Sequence, residues 1–125
     1  MTTVLISGSR SIKHLPEAAI ASIDKIMQLG FHILVGDAYG VDSLVLEYLH
    51  SKGYDRVTIY YAKFGGNGKP RLASTYPKIG VKGSYSDRDR YMCSLSEYGL
   101  AIWDGKSPGT KQNIDRVRLT KVIIP

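Results

Sequence analysis

The stretch from Phe31 to Tyr60, FHILVGDAYGVDSLVLEYLHSKGYDRVTIY, decides the fold class. Phe31–Val35 is a short, mostly apolar run that stops at Gly36, the signal of a buried strand. The turn Gly36-Asp37-Ala38-Tyr39-Gly40 follows. Val41, Leu44, Val45, Tyr48 and Leu49 then recur at helical spacing, so Val41–Lys52 reads as a helix that Gly53 ends. Arg56–Tyr60 returns to strand character. A strand, a helix of more than ten residues and a second strand form a crossover unit, and such a unit makes its two strands parallel.

The same alternation extends in both directions. Val4–Gly8 reads as a first strand. Pro16 opens a helix with Ala19, Ile20, Ile23, Ile26 and Met27 on one side, and Gly30 closes it. Toward the C-terminus, Ser86–Tyr98 reads as a helix, Gly99–Trp103 as a strand, Gly109–Thr120 as a helix and Lys121–Ile124 as a last strand. Residues 1–125 are therefore expected to form a single α/β domain. Its architecture is a Rossmann-like three-layer sandwich, a five-stranded mostly parallel sheet with helices on both faces. Tyr61–Tyr85 breaks the rhythm, with glycines at 65, 66, 68, 80 and 83 and prolines at 70 and 77. It is expected to be a long basic loop, either functional or disordered.

Composition narrows the classes of function. The chain of 125 residues is 43% hydrophobic and 22% charged, the balance of a globular protein. No apolar run approaches the roughly 20 residues that span a membrane. Neither a secretory leader nor a membrane partner is expected, and the expected location is cytoplasmic. The single cysteine, Cys93, excludes a disulfide framework. His14, His32 and His50 lack the spacing of metal ligands, so no metal and no cofactor is read from the sequence. The net charge of +6 is unevenly placed: residues 1–60 hold five Lys/Arg against six Asp/Glu, and residues 61–125 hold twelve against five. A cationic half suits an anionic partner, either a phosphorylated small molecule or a nucleic acid.

In open parallel sheets, ligands sit at the carboxyl ends of the strands. Gly8-Ser9-Arg10 offers close backbone approach, a hydroxyl and a guanidinium there. Gly36, Asp37, Gly40 and Asp42 follow the second strand, Asp42 serving equally well as a helix N-terminal charge. Ser107, Gly109 and Thr110 open the last helix, where free N–H groups favour phosphate. Asp37 and Asp104 are candidate carboxylates for acid–base or nucleophilic work, and Arg88 stands where a cation opposes the helix dipole. Gly65-Gly66-Asn67-Gly68-Lys69 is not a P-loop, because Pro70 replaces the hydroxyl residue and Lys63 the first glycine.

Four motifs in order resemble the SLOG superfamily and especially its small single-domain YspA-like branch. They are Leu5-Ile6-Ser7-Gly8-Ser9-Arg10, the turn from Gly36 to Asp42, Arg88-Asp89-Arg90-Tyr91-Met92, and the stretch from Trp103 to Thr110. The superfamily includes LOG phosphoribohydrolases and DprA DNA-processing proteins. The resemblance implies a nucleotide-derived ligand with its phosphate on the Gly109-Thr110 loop and the Gly8-Ser9-Arg10 turn. Arg88 matches an arginine that LOG enzymes use to cleave an N-glycosidic bond. The glutamate that accompanies it is replaced by Asn113, and Asp37 replaces a glycine of the family turn. The expected function is therefore a nucleotide-binding module or sensor. The alternatives are an N-glycosidase or phosphoribohydrolase with Arg88, Asp37 and Asp104 as catalytic candidates, and a DprA-like binder of single-stranded nucleic acid. The resemblance also implies a homodimer or higher homo-oligomer.

Overall fold

The computed structural model describes all 125 residues. The elements run β1 (Thr3–Gly8), α1 (Glu17–Gln28), β2 (His32–Gly36), α2 (Val41–Ser51), β3 (Val57–Phe64), β4 (Lys78–Lys82), α3 (Tyr85–Leu95), β5 (Tyr98–Ile102), α4 (Pro108–Arg116) and β6 (Thr120–Ile123). They form an α/β fold around one sheet ordered β4-β3-β2-β1-β5-β6, and every neighbouring pair is parallel.

Side chains alternate across the sheet, and the two faces are covered separately. Val4, Ile6, Ile33, Val35, Val57 and Ile59 pack with Ala19 and Ile23 of α1 and Val45 and Leu49 of α2. Leu5, Leu34 and Tyr60 point the other way, onto Met92 and Cys93 of α3 and Val117 after α4. The first cluster holds 16 buried residues and the second only 6, so the α1/α2 face carries most of the apolar burial. The thinner face is also where polar groups enter the interior.

The sheet has six strands, not five. The additional strand, β4, lies inside the segment that the sequence marks as loop. Its residues, Lys78-Ile79-Gly80-Val81-Lys82, contain no buried position. As an edge strand it pairs only with β3, so no apolar run is needed, and its lysines suit an open edge. The intervening residues 65–77 cross the α2 face, where Tyr76 and Leu72 join the larger core cluster. The Tyr76 hydroxyl donates to the Tyr54 carbonyl at 2.5 Å, which fixes the crossover in place.

Helix α3 starts one residue earlier than the spacing suggests because Ser84 closes a capping box with Asp87. The Ser84 hydroxyl accepts from the Asp87 N–H, and the Asp87 carboxylate accepts from the Ser84 N–H at 2.8 Å. Ser84→Ala should lower the unfolding free energy by about 1 kcal/mol. A urea midpoint indistinguishable from that of the parent would contradict this.

Candidate functional site

The chain builds β1 to β4 outward in one direction and then places β5 on the opposite side of β1. The carboxyl ends of β1 and β5 therefore diverge beside one another, and the loops that follow them border a crevice. Two glycines let the loops close in. A Cβ on Gly40, whose φ is +83°, would lie 2.5 Å from the Arg10 Cα. One on Gly36 would lie 2.8 Å from Asp42 Oδ2 and 2.9 Å from Arg88 Nη1. Any other residue at either position would push the lining apart.

The crevice narrows to a pocket of about 180 Å³. Gly8 and Arg10 reach it from β1, Gly36 and Asp42 from β2 and α2, Arg88 from α3, and Thr110 from α4. Asn113 also borders it, as do Tyr85, Asp89 and Arg71. Larger clefts of about 580 and 530 Å³ exist elsewhere, against the crossover and against α1, but neither gathers opposed charges.

Several expected site residues support the pocket without lining it. Ser9 is buried; its N–H donates to the Ile102 carbonyl at 3.0 Å and its Oγ accepts from the Asp104 N–H at 2.9 Å. It thus staples the β1 and β5 loops together. The Asp104 carboxylate accepts from the Ser107 and Lys106 N–H groups, each at 2.8 Å, and from the Ser107 and Ser11 hydroxyls. Those bonds, the Ser107 amide foremost, hold it well below the usual carboxylate range. Its role in the fold is to shape the approach to α4. With the Ser107 hydroxyl turned to Asp104, the α4 N-terminus has no side-chain cap. Buried Thr110 stands there, while Gly109 is exposed and outside the lining.

Beneath the other side of the pocket lies a buried charge cluster. Asp37, 1% exposed, pairs with Arg88 Nη1 and Arg71 Nη2, each at 2.9 Å. Burial works to raise its carboxyl, but the Arg71 hydrogen bonds and the two guanidinium charges outweigh it and leave the group below its ordinary range. Arg88 also donates through Nε to Asp89 at 2.7 Å and through Nη1 to the Tyr60 carbonyl at 3.2 Å. Its Nη2 donates to no protein atom, although the side chain is only 6% exposed.

Asp42 differs from both other aspartates. It accepts a single protein hydrogen bond, from the Ala38 N–H at 3.0 Å, and forms no ion pair. Burial pushes its carboxyl up to about 7, with Asp89 and Asp37 adding to the rise and Arg88 opposing it. Of Asp37, Asp42 and Asp104, the carboxyl raised toward neutrality is thus the one in the pocket lining. Cys93, whose thiol is pushed up to about 11 by burial, donates to Asn113 Oδ1 at 3.5 Å, a placement that disfavours the nucleophilic thiolate.

Arg71 and Asp89 are site residues that the sequence does not single out, and Tyr85 stands out there only as one of several tyrosines around the basic segment. Asp89 falls within a quoted motif but carries no signal apart from Arg88. Arg71 sits in the irregular segment, and only the run of five basic residues without an acidic one pointed toward it. Comparison of the chain with family models, with curated proteins and with solved structures finds no match in any of the three.

Proposed function

We propose that this chain is a Rossmann-like binding module of the SLOG type that takes a nucleotide or nucleotide-derived phosphorylated ligand in the pocket above β1, β2 and β5. The observation that carries the reading is Arg88, a guanidinium more than nine-tenths buried, which borders the pocket with Nη2 unengaged. Nη2 is not sealed from solvent, so it is a charged donor that the protein leaves free for an anion entering the pocket. The uncapped start of α4 and the exposed Arg10, which forms no protein ion pair, supply further donors on the opposite side. The volume of about 180 Å³ is below that of pockets that enclose drug-sized ligands. It suits a phosphorylated sugar, with the base lying outside.

The test is calorimetry with a nucleoside 5′-monophosphate and the matching nucleoside. Arg10→Ala should weaken the monophosphate about tenfold, in line with loss of one charge-assisted contact, and leave the nucleoside unchanged. Equal losses for both ligands would count against a phosphate seat.

Asp42 favours one second reading, N-glycosidic hydrolysis. A carboxyl near 7 beside a buried arginine has the properties of a general acid. In that reading Asp42 carries the proton, because the oxygens of Asp37 and Asp104 are engaged by arginines and amides. Free base released from a monophosphate by the parent, and not by Asp42→Asn, supports it; intact monophosphate throughout removes it.

A further inference from the structure

Arg71 lies in the crossover between β3 and β4, outside every motif that suggested the site, yet it borders the same pocket as Arg88. Asp37 organises both side chains. Its Oδ1 accepts from Arg71 Nη2 and Arg88 Nη1, each at 2.9 Å, and from Arg71 Nε at 3.3 Å. Its Oδ2 accepts from the Arg71 backbone N–H at 2.8 Å. The Tyr85 ring restrains them further, with its centre 4.1 Å from the Arg71 guanidinium carbon and 5.5 Å from that of Arg88. Neither guanidinium is fully engaged. Arg71 Nη1 and Arg88 Nη2 donate to no protein atom.

The free donors of the two arginines suit an anion that can accept from both. A carboxylate is gripped side-on by two nitrogens of one guanidinium. Of five N–H groups on each guanidinium, Arg71 keeps two on Nη1 and one on Nη2, and Arg88 keeps the two on Nη2, so the free donors come from two side chains on separate elements. A phosphoryl group carries three oxygens and can accept from two directions, as two arginines fixed on one carboxylate require. We infer that the Arg71–Arg88 pair is a second anion subsite, distinct from the Arg10 and α4 seat, and that it takes a second phosphoryl group carried by the same ligand. The inference rests on the nucleotide reading above and narrows it to nucleosides phosphorylated twice, as a diphosphate or at two positions of the sugar.

Calorimetry on the full chain with adenosine 5′-monophosphate, adenosine 5′-diphosphate, adenosine 3′,5′-bisphosphate and inorganic pyrophosphate tests it. At least one of the doubly phosphorylated nucleosides should bind ten times more tightly than the monophosphate, and which one does so reports where the second group sits. Arg71→Gln should bring that ratio to one. Lys69→Gln, the same charge change two residues away on an exposed side chain, should leave it at ten. A ratio of one in the parent protein overturns the inference while leaving the monophosphate reading standing, and so does a ratio that falls equally in both variants. Should no nucleotide bind, the nucleotide reading fails, and pyrophosphate still reads the arginine pair on its own. Binding lost on Arg71→Gln but kept on Lys69→Gln supports the subsite; no binding, or equal binding to both variants, overturns it. Thermal melts of each unliganded variant show whether it is folded.

Discussion

Asp37→Ala is expected to lower the unfolding free energy by about 3–5 kcal/mol, the usual cost of leaving a buried charge without its partner. Asp37 is the only carboxylate that Arg71 contacts, and it balances Arg88 from within the interior. Without it, Arg88 keeps Asp89 but retains a desolvated positive charge next to Gly36 and Tyr60. Because whole domains are stable by only about 5–15 kcal/mol, such a loss is readily measured as a shift of the urea midpoint. Arg71→Gln should cost far less, about 1 kcal/mol, since that side chain is 21% exposed and water can replace its partner. A loss below about 1 kcal/mol for Asp37→Ala would mean that the cluster is not a structural centre. Hydrogen exchange gives an independent check, because amides of residues 65–77 should exchange faster once Arg71 loses its anchor. The pH dependence has a definite sign. The folded state holds the Asp37 carboxyl below its unfolded value, so its contribution is complete at neutral pH and disappears as pH falls below about 4.

The sequence displays the parts of this protein that are repeated and buried on both sides. β1, β2, β3 and β5 are inner strands with burial on both faces, so their apolar runs stand out, and the helices between them show one apolar side. β4 was not legible, because an exposed edge strand needs neither an apolar run nor alternation, and Gly80 with its lysine flanks reads as loop. The site divides along the same line. Residues on the turns and first helical turns that follow strands, such as Arg10, Asp42 and Thr110, follow from topology, since parallel strands bring those segments to one end. Arg71 depends on where a long crossover folds back, and no local pattern encodes that. Asp37 and Asp104 show a related limit. A lone carboxylate at a strand end suggests chemistry, but only its partners decide its role, and those partners lie 34 and 51 residues away for Asp37. For Asp104 they are the next turn's amides.

Asp42→Asn should stabilise the protein, and the gain should grow with pH. The folded state raises the Asp42 carboxyl from about 3.8 to about 7, so the fold favours the protonated form. Below pH 4 the group is protonated in both folded and unfolded chains, and an amide offers no advantage. Between pH 4 and 7 the unfolded chain releases the proton while the folded one retains it, and the parent loses about 1.4 kcal/mol for each pH unit. Above pH 7 the penalty is constant, on the order of 4 kcal/mol. An asparagine carbonyl can still accept from the Ala38 N–H, so the variant keeps the one hydrogen bond that Asp42 makes. Urea unfolding of parent and variant at pH 5, 6, 7 and 8 should therefore diverge steadily and then run parallel. Curves that stay parallel throughout would place the Asp42 carboxyl in the ordinary range. The charged groups that face it are Arg88, Asp89 and Asp37, and all three are present in parent and variant alike, so the difference between the two curves reports Asp42. The same protonation bears on ligand. A neutral Asp42 does not repel an anion in the pocket and an ionised one does, so the affinity of the parent for phosphorylated ligands should fall relative to that of Asp42→Asn as pH rises through about 7, the ligand's own phosphate titration being common to both.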